Sequence, residues 1–177
     1  SAGYHFANLK SDTLYRIIVI GTNASGYFVS QIMQRTGPLA PTLLPLTISS
    51  STIDSITLIK PTFSRAGNPS PEVVGYVGIN GRIKVTGTTV GDSIQGPIDL
   101  TQGGTTFSNL NADTVYRIIV VARNVKGYSI KQITQRTSGI APVLNPLEIG
   151  ASDARTITLQ QPTFATPGNP APTVRAY

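Results

Sequence analysis

Residues 109–124 read NLNADTVYRIIVVARN, and residues 8–23 carry a second copy, NLKSDTLYRIIVIGTN. In each copy a polar turn leads into apolar residues that alternate with a period of two, which is typical of a β-strand. Tyr15 and Tyr116 are 116 − 15 = 101 positions apart, and the same offset relates Tyr76 to Tyr177. The chain is therefore a repeat with a period of about one domain.

Both copies resemble the corner between strands E and F of fibronectin type III domains. The resemblance rests on a Leu, an Asp-Thr pair and a Tyr at matching positions, and it extends over the whole repeat period. It implies that Tyr15 and Tyr116 are structural corner residues whose hydroxyl groups hydrogen-bond to the turn backbone, with Leu9 and Leu110 beside them. It also implies an all-β fold of immunoglobulin-like sandwich repeats without a helix.

The resemblance divides the chain into one complete repeat flanked by two complementary halves. Residues 1–36 are expected to be the C-terminal half of a repeat, residues 37–137 a complete repeat, and residues 138–177 the N-terminal half of the next. Gly37–Pro41 and Ser138–Pro142 separate these parts, and their prolines prevent either flank from continuing as a central strand. We interpret both segments as domain linkers.

Apolar alternation and turn residues predict the strands inside the repeats. Asn80-Gly81 predicts a two-residue hairpin after strand C. The glycine-spaced region from Thr86 to Gly104 predicts a long connection with one short edge strand. The expected strands are A at Pro45–Ile48, B at Ser55–Ile59, C at Val73–Ile79 and again around Tyr177, a hairpin partner at Arg82–Val85, the edge strand at Ile98–Leu100, E at Gly3–Leu9, and G at Val29–Thr36 and Ile130–Thr137.

The composition limits the classes of function. The 177 residues include no Cys and a single His, His5, so disulfides, thiol catalysis and cysteine-ligated zinc are excluded, and histidine metal clusters have no support. Charged residues make up 12% of the chain, against roughly 25% in ordinary soluble domains. The net charge of +6 is scattered without a basic run, so we expect no nucleic-acid partner. We also expect no catalytic residue, metal or cofactor, and no membrane span in this segment.

Two local patterns have structural explanations besides functional ones. Asn23-Ala24-Ser25 fits a glycosylation acceptor, but the matching Asn124 is followed by a sequence that does not, and the family turn places Asn there in any case. Asp12 and Asp113 lie in the corner turn, where we expect turn residues and not metal ligands. The chain lacks the strand B Trp of the family and any Arg-Gly-Asp triplet, so an integrin-binding loop is not implied.

The outward positions of strand F are more apolar than the family pattern suggests. If Tyr116 and Val120 point inward, alternation places Ile119 and Val121 on the outer face, and Ile18 and Ile20 in the first copy. β-Branched residues there can simply reflect strand propensity. The alternative is a lateral contact that covers this face.

The leading hypothesis for function is a non-catalytic structural or adhesive module of an extracellular surface or filament protein, located outside the cell or at its surface. The alternative is a spacer or binding module of a secreted carbohydrate-active enzyme. Repetition favours the first hypothesis, because a spacer needs copies. The sequence does not identify a protein or glycan ligand, and fold alone does not establish function.

Other copies of the chain, or neighbouring repeats, are the expected partners. Residues 138–177 carry strands A, B and C, which residues 1–36 lack. A sheet face and strand edge left open are costly in water, so we expect the halves to complete each other head to tail by strand exchange between molecules. Alternatively, the same residues are one segment of a longer string of repeats.

Overall fold

A computed structural model describes residues 3–177 of the chain as an all-β structure. Within that range no helix is long and apolar enough to cross a membrane. The strands are β1 (Leu14–Asn23), β2 (Gly26–Arg35), β3 (Thr42–Leu43), β4 (Ile48–Ser51), β5 (Ile56–Leu58), β6 (Phe63–Arg65), β7 (Glu72–Ile79), β8 (Lys84–Thr86), β9 (Thr89–Gly91), β10 (Gln95–Asp99), β11 (Thr105–Phe107), β12 (Val115–Asn124), β13 (Gly127–Arg136), β14 (Val143–Leu144), β15 (Ile149–Ser152), β16 (Ile157–Leu159) and β17 (Phe164–Thr166).

The central part of the chain is a sandwich of two antiparallel sheets. One sheet has the strand order β10-β7-β12-β13, and the other has the order β11-β5-β4. Strand β12 lies between β7 and β13, and it pairs with β13 along its whole length, from Val115 opposite Arg136 to Asn124 opposite Gly127. Both edges of β12 are therefore hydrogen-bonded.

The core lies between these two sheets and follows the predicted alternation. Tyr116, Ile118, Val120 and Ala122 of β12 are all buried and belong to one cluster. Strands β5, β7 and β11 supply further side chains, and Phe63 packs against the cluster. The buried members are Leu43, Leu46, Ile56, Leu58, Val73, Val77, Leu100, Phe107, Leu110, Tyr116, Ile118, Val120 and Ala122.

The two-residue hairpin predicted at Asn80-Gly81 is wrong. The chain does turn there, but the amides of Arg82 and Ile83 both donate to the carbonyl of Ile79, which leads the chain away from β7. Strand β8 then pairs with β9 across a turn at Gly87, where φ is +56°. The predicted edge strand is present as β10, and it pairs with β7 through a register shift.

Each flanking segment lacks one of the strands that the sequence predicts. Strands β1 and β2 form an isolated hairpin, and the predicted strand E at Gly3–Leu9 is not a strand. In the same way, no strand includes Tyr177. In the central repeat the matching strands are β11 and β7, which pair with β5 and β12. The flanking segments lack such partners beside them, so their backbones do not form the corresponding ladders.

Gly104 offers a test of the central packing, because a Cβ there would collide with the carbonyl oxygen of Leu58. We expect Gly104→Ala to lower the free energy of unfolding by about 1–3 kcal/mol, the usual effect of overpacking. Gly3 lies 101 positions earlier, and no atom lies within 4 Å of the site of its Cβ. Gly3→Ala should leave the urea midpoint of the central repeat unchanged. Equal midpoints for the two variants would contradict this packing.

Candidate functional site

The titratable groups with shifted pKa values make local turn and ion-pair contacts. Among residues 3–177, no group of three or more His, Asp or Glu side chains is placed to hold a metal ion. Hydrogen bonds from the Thr101 side chain and amide hold the pKa of Asp99 below its usual value. A hydrogen bond to Glu72, 2.8 Å from Nε, raises the pKa of Arg123. Both shifts arise from exposed turn and ion-pair contacts.

The corner residues occupy equivalent positions in the two copies. The Tyr116 hydroxyl accepts a hydrogen bond of 2.8 Å from the amide of Asn111, and the Tyr15 hydroxyl accepts one of 2.8 Å from the amide of Lys10. The surroundings differ, because Leu110 is 6% exposed and Leu9 is 43% exposed. The corner is therefore a local structure that forms with or without the sandwich around it.

The corner aspartates form ion pairs with the closing strands. Asp113 has a positive φ of +49° and its carboxylate lies 2.8 Å from Nη1 of Arg136. Asp12 has the same φ and lies 2.9 Å from Nη1 of Arg35. Both are turn residues, as expected. Their carboxylates accept hydrogen bonds from the two arginines.

The outer face of β12 is covered from within the same repeat. Ile119 and Val121 are 0% and 1% exposed, and they form a second cluster with Ile83. The β8–β9 ribbon lies over them, contributing the half-buried Val85 and Val90. The alternative of a lateral contact that covers this face is therefore wrong at these two residues. Sequence reasoning missed it because the ribbon was assigned to a hairpin with β7.

The first copy lacks this cover. Ile18 is 50% exposed and Ile20 is 62% exposed, although they match Ile119 and Val121 at the 101-residue offset. Within residues 3–177, the β8–β9 ribbon has no equivalent beside β1. The difference between the copies therefore comes from the segments that lie beside each strand and not from the strand itself.

A joint connects the central repeat to the first hairpin. The backbones of Leu39 and Asn68 exchange two hydrogen bonds, of 2.7 and 2.8 Å. The side-chain amide of Asn68 donates to the carbonyl of Ser11, in the corner turn of the preceding copy. Gly67 has a φ of +82°, and a Cβ there would lie 2.9 Å from the nitrogen of Pro41. The linker, the loop and the preceding corner are thus joined by specific contacts.

The same joint is built a second time, 101 residues later. Ile140 and Asn169 exchange backbone hydrogen bonds of 2.7 and 2.8 Å. The side-chain amide of Asn169 donates to the carbonyl of Ala112 at 3.0 Å. The sequence analysis gave the Gly67-Asn68-Pro69 triplet no role. Its recurrence at Gly168–Pro170 was the signal that could have identified the joint.

Asn124 and Asn23 occupy the same turn but make different contacts. The Asn124 amide donates to the carbonyls of Leu39 and Pro69, at 2.8 Å each. For the Asn23 side chain the structure gives only a local bond, which its Oδ1 accepts from the amide of Ser25 at 2.9 Å. The turn accounts for an Asn at both positions without glycosylation. Glycosylation of Asn23 stays a prediction.

Comparison with known proteins identifies the fold. No model of a protein family matches the sequence, and no curated protein matches it either. The structure is similar to domains d3-d4 of the rat CD45 extracellular region, with a TM-score of 0.50 at 15% identity, over 76% of this chain and 70% of that one. The fold is that of tandem fibronectin type III domains. The chicken CNTN1 FN1-FN3 domains also match at 15% identity, over 76% of this chain and 46% of that one, with a TM-score of 0.38.

The corner tyrosine of this fibronectin type III fold offers a stability test. Tyr116→Phe removes the hydroxyl that accepts the Asn111 amide, so we expect the free energy of unfolding to fall by about 1–2 kcal/mol. Urea melts provide the measurement. Tyr15→Phe is the matched control and should not change the unfolding of the central repeat. An unchanged midpoint for Tyr116→Phe would show that the hydroxyl does not stabilise the corner.

The covered outer face offers a second test with a matched control. Replacing Ile119 and Val121 with Thr places two hydroxyls in a dry cluster, and we expect a loss of about 2–4 kcal/mol for the pair. Replacing Ile18 and Ile20 with Thr changes exposed positions and should alter the stability of the central repeat by no more than about 0.5 kcal/mol. If both pairs had the same effect, the ribbon would not cover β12.

Proposed function

We propose that this chain is a non-catalytic structural module, a string of fibronectin type III-like repeats that acts as a spacer in an extracellular surface or filament protein. The observation that carries the proposal is the joint built twice at the 101-residue offset, by Asn68 on Ser11 and by Asn169 on Ala112. A recurring joint of this kind sets the same geometry between each repeat and the next. A string of such repeats is stiff and extended, as a spacer requires.

The joint resists bending because it combines several kinds of contact. The paired backbones of Leu39 and Asn68 add a short bridge at the start of the repeat. The Asn124 side chain holds the same linker through the carbonyl of Leu39. Two prolines, Pro38 and Pro41, restrict the linker backbone further. A flexible tether would need none of these restraints.

The expected location is outside the cell or at its surface. A chain with few charged residues, no Cys and many Thr, Ser and Gly residues suits an extracellular β module. The similar rat CD45 structure is described as an extracellular region, which supports the same location for this chain. We further propose the three-part organisation given by the repeat, with residues 37–137 complete between the segments 1–36 and 138–177.

Loss of the joint should make the string flexible. In the double variant Asn68→Ala and Asn169→Ala, both side-chain contacts with the preceding corners are removed. We expect small-angle X-ray scattering of dilute samples to show a broader distance distribution, while the urea midpoint of the central repeat changes little. Asn80→Ala, at an exposed turn whose side chain takes no part in either joint, is the control. A parent chain that already scatters as flexibly linked segments would contradict the spacer function.

A further inference from the structure

The β8–β9 ribbon forms one wall of a cleft on the outer face of the central repeat. The ribbon lies over Ile119 and Val121, and Thr88 in its turn reaches the edge of the cleft. The cleft has a volume of 230 Å³, and all the residues that line it lie between positions 72 and 123. It therefore belongs to the complete repeat and takes nothing from either flanking segment.

The strand register places three charged side chains in this cleft. Glu72 of β7 lies opposite Arg123 of β12, and Val74 of β7 lies opposite Val121. On the other side of β7, Asp99 of β10 lies opposite Val74. Val121 points outward beneath the ribbon, and directly opposed residues share one face of a sheet. Both carboxylates and the guanidinium therefore lie on the outer face.

An aromatic ring and a proline supply apolar surface to the cleft. Tyr76 lies two residues after Val74 on β7, so it shares the outer face, where it packs half-buried against the cluster under the ribbon. The Gly96 backbone approaches this ring so closely that a Cβ on Gly96 would lie 2.7 Å from Cδ1 of Tyr76. Pro97 follows and lines the cleft with Tyr76. The ring is thus held in place by its surroundings.

The polar groups of the cleft offer both donors and acceptors. Arg123 donates from Nε to Glu72 at 2.8 Å, and within residues 3–177 its Nη groups have no protein acceptor. Asp99 accepts the Thr101 amide at 2.8 Å through Oδ1, and the hydrogen bonds from Thr101 lower the pKa of Asp99, which favours its ionised form. Each carboxylate has a second oxygen that can accept a hydrogen bond, and the hydroxyl of Thr88 can donate or accept.

The ion pair between Glu72 and Arg123 is not part of the repeated framework. The matching positions at the 101-residue offset hold Thr173 and Thr22, whereas the ion pair of the corner is present in both copies. Both side chains of the pair in the cleft are 53% exposed. An exposed pair contributes at most about 1 kcal/mol to stability, so the fold does not depend on this one.

We propose that this cleft binds one ring of a neutral sugar, which adds a binding function to the proposed spacer. Each hydroxyl of a sugar both donates and accepts hydrogen bonds, as the mixed polar groups of the cleft require. One face of a sugar ring carries C–H groups, which pack on an aromatic ring such as that of Tyr76. The cleft of 230 Å³ is smaller than the about 300–1,000 Å³ of pockets for drug-sized molecules, so it takes a single ring.

Charge argues against the two main alternative ligands. Glu72 and Asp99 outnumber Arg123, so the cleft disfavours nucleic acid and other polyanions even though the chain has a net charge of +6. A lysine or arginine side chain from a partner protein would meet the guanidinium of Arg123. A neutral ring with several hydroxyls avoids both conflicts.

Titration of the isotope-labelled chain with methyl glycosides of glucose, galactose and mannose, followed by NMR, tests the proposal. We expect at least one of them to shift the amides of residues 72–76, 97–99 and 121–123. The Kd should be on the order of 1 mM, because a small open cleft makes few contacts. Maltotriose and cellotriose then show whether the ring is bound within a chain or only as a free sugar.

Variants separate binding from folding. Glu72→Thr with Arg123→Thr introduces the residues found at the matching positions, and we expect it to weaken binding about tenfold or more without lowering the urea midpoint of the repeat. Asp99→Asn keeps an oxygen for the Thr101 amide and should weaken binding about threefold or more. Asp92→Asn is the control, because Asp92 is an exposed carboxylate outside the cleft and Asn tolerates its φ of +56°.

Two results would overturn the sugar site. One is that no glycoside shifts these amides, and shifts with tetralysine in place of the glycosides would assign the cleft to basic peptides instead. The other is that the Glu72 and Arg123 double variant, folded and with an unchanged urea midpoint, binds the glycoside as tightly as the parent. Neither result affects the spacer function, since scattering tests the joints separately.

Discussion

Burial of β12 on both faces is the constraint on which the rest of the structure depends. Its inner side chains close the sandwich against the sheet that contains β5, and its outer side chains lie under the β8–β9 ribbon. β12 pairs with β13, which follows it directly in the chain, and with β7, from the earlier half of the same repeat. Strands from well before and directly after β12 in the chain therefore have to lie beside it for both of its edges to be paired.

The two copies of this strand separate local from long-range effects. The corner hydroxyl bond and the Asp–Arg ion pair form in both, because all their groups lie within one short stretch. Burial differs, since Val120 is 0% exposed and Val19 is 57% exposed. Nearly identical residues thus reach opposite environments according to whether the earlier strands of a repeat lie beside them.

The sequence predicted the local features well and the long-range ones poorly. Period-two alternation located β5, β7 and β12, and the repeated Tyr indicated the corner, because these signals reside in neighbouring residues. The cover over Ile119 was missed, since an Asn80-Gly81 turn does not reveal which strand the following residues join. The role of Asn68 was missed for a similar reason, as its acceptor on Ser11 lies 57 positions away. Contacts between repeats do not change the spacing of apolar residues along the chain, so the sequence pattern does not reveal them.

Hydrogen–deuterium exchange compared between peptides 14–23 and 115–124 tests the central claim most directly. Exchange at 14–23 should be fast, because within residues 3–177 β1 pairs with β2 alone and most of its side chains are exposed. Peptide 115–124 should stay protected, because both edges of β12 are paired within the molecule. Equal exchange rates in the two peptides would contradict the account.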